Sequence, residues 1–219
     1  NEGKPNEILQ TYLSKDTLLH VFKNHEIAVH GTYHKALVGL SDEEILEEIN
    51  VDIENLSILS DRKISSMAYA FGSTNDHVAE VIGTTPLTNA RTVKPSYNFE
   101  LPQDYYLWNP TCHDSEALEY LEAYISLDSP SLSLFYVWGH SWELRDTLRN
   151  QNILKFCNEI GDRDDIWYTG AGDFADYHAS LKVLEIGPQQ IVNPEGNGIV
   201  YYREKGQLKS LNPGQRLIY

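Results

Sequence analysis

Cysteine is nearly absent from this chain of 219 residues: Cys112 and Cys157 are the only two, and two thiols do not make a disulfide framework. Cys157 falls in a helical apolar pattern and is expected to be a buried free thiol. No window approaches the roughly 18 apolar residues that a spanning helix needs, so no membrane span is expected. Positive charge is scarce too. Seventeen basic side chains face 32 acidic ones, a net charge of −15. Nucleic-acid binders gather Lys and Arg on one face, so no nucleic-acid partner is expected. The G-x-x-x-x-G-K-[ST], G-x-G-x-x-G and G-x-S-x-G patterns are missing, which removes the usual phosphate, dinucleotide and serine-hydrolase readings. There is no internal repeat and no low-complexity stretch. Cysteine usage leaves the compartment, cytoplasmic or secreted, open. A chain that starts at Asn1 without Met is expected to have lost a leader or an earlier segment.

Aromatic residues are plentiful, with 14 Tyr, 6 Phe and 4 Trp, which suits stacking on sugars as well as a core. Helical periodicity covers 8–23. Residues 25–30 (HEIAVH) read as a strand, and S-D-E-E at 41–44 is a capping box opening a helix through about residue 60. Residues 64–71 (ISSMAYAF) and 90–93 read as strands on either side of a short helix at 75–82, with Ser73 to Asn75 as its capping turn. A long polar loop is expected over 94–114. Then follow a helix at 116–127, an apolar strand at 132–138, a helix at 148–159, a strand at 166–169 and a short helix at 175–181. Alternating strand and helix argues a parallel α/β sheet or barrel. From 182 onward short alternating segments are separated by N-P-E-G-N-G, E-K-G and N-P-G turns, the signature of a small antiparallel β unit. The expected organisation is a domain over 1–181 and a β-rich appendage over 182–219.

Working residues of parallel α/β architectures stand at the C-terminal ends of strands. The first strand ends in His30-Gly31-Thr32-Tyr33-His34, where two imidazoles at i and i+4 can converge on one metal ion. The strand at 132–138 ends in Trp138-Gly139-His140-Ser141-Trp142-Glu143, placing His140 as a general acid or base with Glu143 to orient it. His113 and Asp114 could reach the same edge from the long loop. Trp167 and Tyr168 could wall a sugar site, or pack in the core. Asp164-Asp165 precedes a strand and reads as a turn.

HEIAVHGTYH resembles the H-E-I-x-x-H-[ST]-x-x-H segment of polysaccharide deacetylases, the NodB-homology domain of carbohydrate esterase family 4. MAYAFG is similar to that family's aromatic-Pro-aromatic-Gly turn, FYVWGHSWE to its L-x-H strand, and DDIWYTGAGDFADY to its closing strand and helix. The matches come in family order over roughly residues 8–180. The resemblance implies a distorted (β/α) barrel that removes acetyl groups from an N-acetylated carbohydrate polymer or oligosaccharide. It implies His30 and His34 as ligands of a divalent metal, zinc above all, and His140 as general acid. Tyr69 and Phe71 would line the groove, with Trp138 and Trp167 as further substrate-binding aromatics.

Family members open with a strand ending in T-F-D-D, which supplies the base and a third metal ligand. No such segment precedes residue 8, so the barrel is expected to lack its first strand and the activity to be impaired. Gly31 stands where the family has Ser or Thr, Ala68 where many members have Arg, and Ala70 where they have Pro. Arg91 (NARTV) is the candidate for the missing catalytic cation. An open barrel edge invites covering by the N-terminal segment or by a second copy, a homo-oligomer. The alternative is a non-catalytic pseudo-deacetylase that binds glycans.

Overall fold

Ser41 opens the longest helix as its local chemistry requires. Its hydroxyl accepts from Glu44 N at 3.3 Å, while the Glu44 carboxylate accepts from Ser41 N at 2.8 Å, the reciprocal capping box. In this computed structural model, residues 13–129 and 131–219 are described. The expected helix at 8–23 is seen as α1 (Lys15–Val21), and its first residues, 8–12, lie outside the described ones. The capped helix is α2 (Asp42–Ser60). Asn75 caps α3 (Asp76–Ile82), its Oδ1 accepting from Val78 N. The remaining helices are α4 (Ala117–Ile125), α5 (Thr147–Ile160) and α6 (Ala171–Lys182).

Helices alternate with short parallel strands. Val29 pairs with Met67 in β1 (Ser66–Ala68), and β1 pairs in register with β2 (Asn89–Arg91). Arg91 then pairs with Trp108. The same stretch continues through Pro110 into β3 (Cys112–His113), which pairs with β4 (Val137–Trp138). Every one of these pairings is parallel, so the C-terminal ends of the strands, where His30, Arg91, His113 and His140 stand, share one edge. Val29, Ile45, Ile49, Met67, Val78, Ile82 and Ala90 form a core between the first strands and α2 and α3. A second core joins Cys112 to Leu121 of α4 and Phe156 of α5.

The structure corrects several sequence expectations. The loop at 94–114 contains Trp108, 2% exposed, and β3, because both halves of the segment are tied to neighbouring strands. The strand expected at 132–138 is regular only from Val137. Before it, Leu134 N bonds to Phe99 O and Tyr136 N to the Thr111 hydroxyl, outside any ladder. Residues 166–169 form no strand. The Asp164-Asp165 turn, held by Arg163 on Asp165, leads into an irregular segment. Cys157 is exposed, and Cys112 is the buried thiol. Burial pushes the Cys112 thiol up to about 12. A mild thiol reagent at pH 8 is therefore expected to modify Cys157 in the native protein, with Cys112 reacting only after denaturation. Mass spectrometry of labelled peptides checks this.

The chain divides into two compact units, the first ending at Tyr168 and the second comprising Thr169–Tyr219. In the second unit α6 precedes an antiparallel sheet of β5 (Glu185–Gly187), β6 (Gln190–Val192) and β9 (Arg216–Ile218). A hairpin of β7 (Val200–Glu204) and β8 (Gln207–Leu211) turns at Lys205-Gly206, both at positive φ as a two-residue hairpin loop requires. Buried Asn193 donates to the carbonyls of Gly198 and Leu211 and ties these turns together.

Candidate active site

Two groups of side chains stand on the shared strand edge. The first follows Val29. The backbone turns at Gly31 (φ 89°) and again at His34 (φ 56°), bringing His34 Nε2 to 3.1 Å from His30 Nε2. His30 Nδ1 lies 2.8 Å from Ala68 O. A carbonyl only accepts, so Nδ1 carries the proton and Nε2 offers its lone pair, the arrangement that prepares a metal-ligating imidazole. Burial is the largest influence on His30 and lowers its pKa below the usual value, outweighing the Ala68 bond, with the charges of His34 and Arg91 acting in the same direction. Two nitrogens bound to one tetrahedral zinc sit about 3.3 Å apart, given Zn–N bonds of about 2.05 Å. The pair in this chain fits that spacing.

Phe71 stands beside the pair. Its own left-handed backbone (φ 58°) turns the ring outward, 70% exposed, with its centre 4.4 Å from that of His34. The next residue must be glycine. Gly72 has φ 65°, and a Cβ there would meet Val93 at 2.3 Å. Tyr69, expected beside Phe71 in a groove, is instead 1% exposed and donates its hydroxyl to Tyr106 O. Residues two apart on a strand would share a face, but the left-handed turn at Phe71 swings its ring out while Tyr69 stays inside, so Tyr69 is a core residue.

The second group gathers around Trp138 at the end of β4. The Arg91 guanidinium lies 4.7 Å from the Trp138 ring centre, and one of its N–H groups donates to Thr92 O. Burial lowers the Arg91 pKa. The rings of His113 and His140 pack edge-on to Trp138 at 4.6 and 5.6 Å. His140 Nδ1 and backbone N both reach Glu143 Oε2, at 2.8 and 3.0 Å, across the 3-10 turn Ser141–Arg145. Trp142 stacks on His140 and is 61% exposed.

Beneath them Arg149 donates to Glu143 Oε1 at 3.0 Å, pairs with Asp114 and touches His113. Asp114 is 8% exposed and fills the space under Gly139, where a Cβ would meet its Oδ2 at 2.4 Å. Burial raises the Glu143 pKa, but bonds from His140 and the Arg149 charge outweigh it and hold the carboxylate below its ordinary range.

His113, His140 and Glu143 also bring one ligand atom each within 4.8 Å of one another, a further set of donors that could hold a cation. Arg149 already supplies positive charge there, which favours the reading of an acid–base group over a metal cage. Trp167 is half-exposed on the irregular segment before the end of the first unit, and no strand carries it to this edge. The sequence reading missed Arg149, six residues beyond Glu143 on α5, and the acidic side chains of α2 under the histidine turn. No local pattern marks either of them.

The fold and site define a parallel α/β domain with paired imidazoles at its strand ends. Residues 9–90 match the family model for polysaccharide deacetylase. A structure from Mycobacterium smegmatis assigned to the polysaccharide deacetylases superimposes with a TM-score of 0.56 at 15% identity, over 77% of this chain and 68% of that one, a likeness of fold. A polysaccharide deacetylase from Bacillus cereus and its counterpart from Bacillus anthracis each align at 22% identity and a TM-score of 0.35. Those two alignments span 38% of this chain and 26% of each Bacillus chain. No curated protein matches the chain.

Proposed function

We propose that this protein is a metal-dependent deacetylase that hydrolyses the acetamide C–N bond of an N-acetylated polysaccharide or oligosaccharide. The fold we propose for its first unit is the family's distorted (β/α) barrel. The observation that carries the functional reading is the convergence of His30 and His34 through their Nε2 atoms, with His30 Nδ1 tied to Ala68 O. These two residues would hold the ion. A bound divalent cation, zinc foremost, supplies Lewis-acid polarisation of the amide carbonyl and acidifies water.

The chain's own residues do the rest. Glu143 accepts from His140 Nδ1, which leaves Nε2 pointing away from the carboxylate. In this reading a proton held at His140 Nε2 passes to the departing sugar amine as the C–N bond breaks. The water that forms the new C–O bond gives up its protons to solvent, His140 is reprotonated from solvent, and water's oxygen remains with the acetyl group as acetate. Glu143 stabilises the charged imidazole before that transfer. Arg91, held over Trp138, offers N–H donors to a developing oxyanion, the role of the missing family cation. Phe71 and Trp138 give the sugar apolar faces, and Trp167 remains a candidate at greater reach.

Zinc titration tests the metal claim. The wild-type chain is expected to gain thermal stability with added zinc and to release amine from an N-acetylglucosamine oligomer, both lost with chelator and in His30→Ala. Absence of both in the wild type would sink the claim. Exposed Phe71 and Trp142 also suit a second reading, a glycan-binding relative without turnover. That reading expects oligosaccharide binding that survives chelator and His30→Ala.

A further inference from the structure

Resting on the proposed role of His30 and His34, we infer that Glu48 and Asp52 of α2 are positioning residues that hold this histidine pair in its converged form before any ligand arrives. The two carboxyl groups lie four residues apart on one helix, hence on one face, directly under the histidine turn. Asp52 Oδ2 accepts from the backbone N–H of His30 and of Gly31, both at 3.0 Å. Glu48 Oε1 accepts from Tyr33 N at 2.8 Å and Lys35 N at 3.2 Å, the two residues that flank His34. The Glu48 carbonyl takes both Thr32 N and the Thr32 hydroxyl. Every residue from His30 to Lys35 except His34 is thus bonded to α2 through its backbone N–H.

His34 is the residue that needs this. It has φ 56°, the left-handed conformation that costs a side-chain-bearing residue energy and persists only where its surroundings over-determine it. Its neighbours are both anchored on one Glu48 oxygen, and that anchoring turns the His34 ring back toward His30. Glu48 sits close enough to demand Gly31 as well, since a Cβ there would meet Oε1 at 2.8 Å. Packing alone does not account for the residue. Glu48 is 2% exposed, and its second oxygen, Oε2, is buried with no hydrogen-bond partner, an arrangement a core residue would not favour.

The test separates geometry from stability. Glu48→Gln keeps the Oε1 acceptor, whereas Glu48→Asp keeps a carboxyl but withdraws it by one methylene. In metal-free protein, NMR is expected to give a cross-peak between the His30 and His34 rings and a ring-current shift of His34 from Phe71. We expect Gln to retain both signals even where its melting temperature falls, and Asp to lose both while remaining folded. Asp52→Asn, which preserves one acceptor oxygen, should behave as Gln does, and Asp52→Ala should weaken the cross-peak. Equal signals in the Gln and Asp variants of Glu48, or signals that merely follow melting temperature, would overturn the inference. Zinc affinity is measured in parallel, with at least a tenfold loss expected for Glu48→Asp relative to Glu48→Gln. Failure of the wild type to bind zinc, with the NMR contrast intact, would overturn the metal reading and leave the positioning role supported.

Discussion

His140→Ala is expected to lower turnover of an N-acetylglucosamine oligomer by about 100- to 10,000-fold, the usual contribution of a positioned general acid or base. The argument rests on direction. Both His140 Nδ1 and its backbone N are engaged by Glu143 Oε2, so the ring is locked with Nε2 free. Glu143→Gln should give a smaller loss, because the amide oxygen still accepts from Nδ1 but no longer stabilises a charged imidazole. Zinc binding should be unchanged in both variants, which distinguishes loss of the acid from loss of the metal. An His140→Ala enzyme with wild-type turnover would remove His140 from the reaction.

Arg149→Met is expected to destabilise the first unit by about 3 kcal/mol, the low end of the range for removing one partner of a buried ion pair. Arg149, Asp114 and Glu143 have side chains only 19%, 9% and 15% exposed, so the two acids would be left close together without their cation. The methionine fills most of the volume, so the loss reports on charge more than on a cavity. Acid should sharpen the effect. Glu143 is held below its usual value in the folded state, so its contribution is present above the unfolded value near 4.5 and fades as pH falls through the lower folded one. Without Arg149 that fading should begin at higher pH. Urea melts of wild type and variant at pH 7 and at pH 4 measure both effects, and identical curves at pH 7 would refute the account.

Local chemistry was legible from residues alone. Ser41 and Glu44 form their capping box because both partners lie within one helical turn, and Asn75 caps α3 for the same reason. His30, Arg91 and His140 could be placed at strand ends because a parallel α/β pattern fixes which end carries chemistry. Other assignments failed where a distant partner decided them. Trp108 and Cys112 look like loop residues in a polar, proline-containing stretch, yet they are buried because β2 and β4 take up the backbone on either side. The aromatic Tyr69 looked like a groove residue, but the Tyr106 carbonyl draws its hydroxyl into the core.

The sequence by itself determined the alternating α/β plan, the antiparallel C-terminal strands, and the residue types offered at each strand end. Those follow from periodicity, turn chemistry and motif order, all of which act over a few residues. Only the tertiary structure decided that His34 turns back onto His30, that Arg91 lies over Trp138, and that Arg149 and Asp114 support Glu143 from below. The histidine turn is held by carboxylates of α2, the other contacts join residues from separate elements, and Arg149 and Asp114 are 35 positions apart. Their meeting depends on strand register and helix packing, which no local pattern encodes.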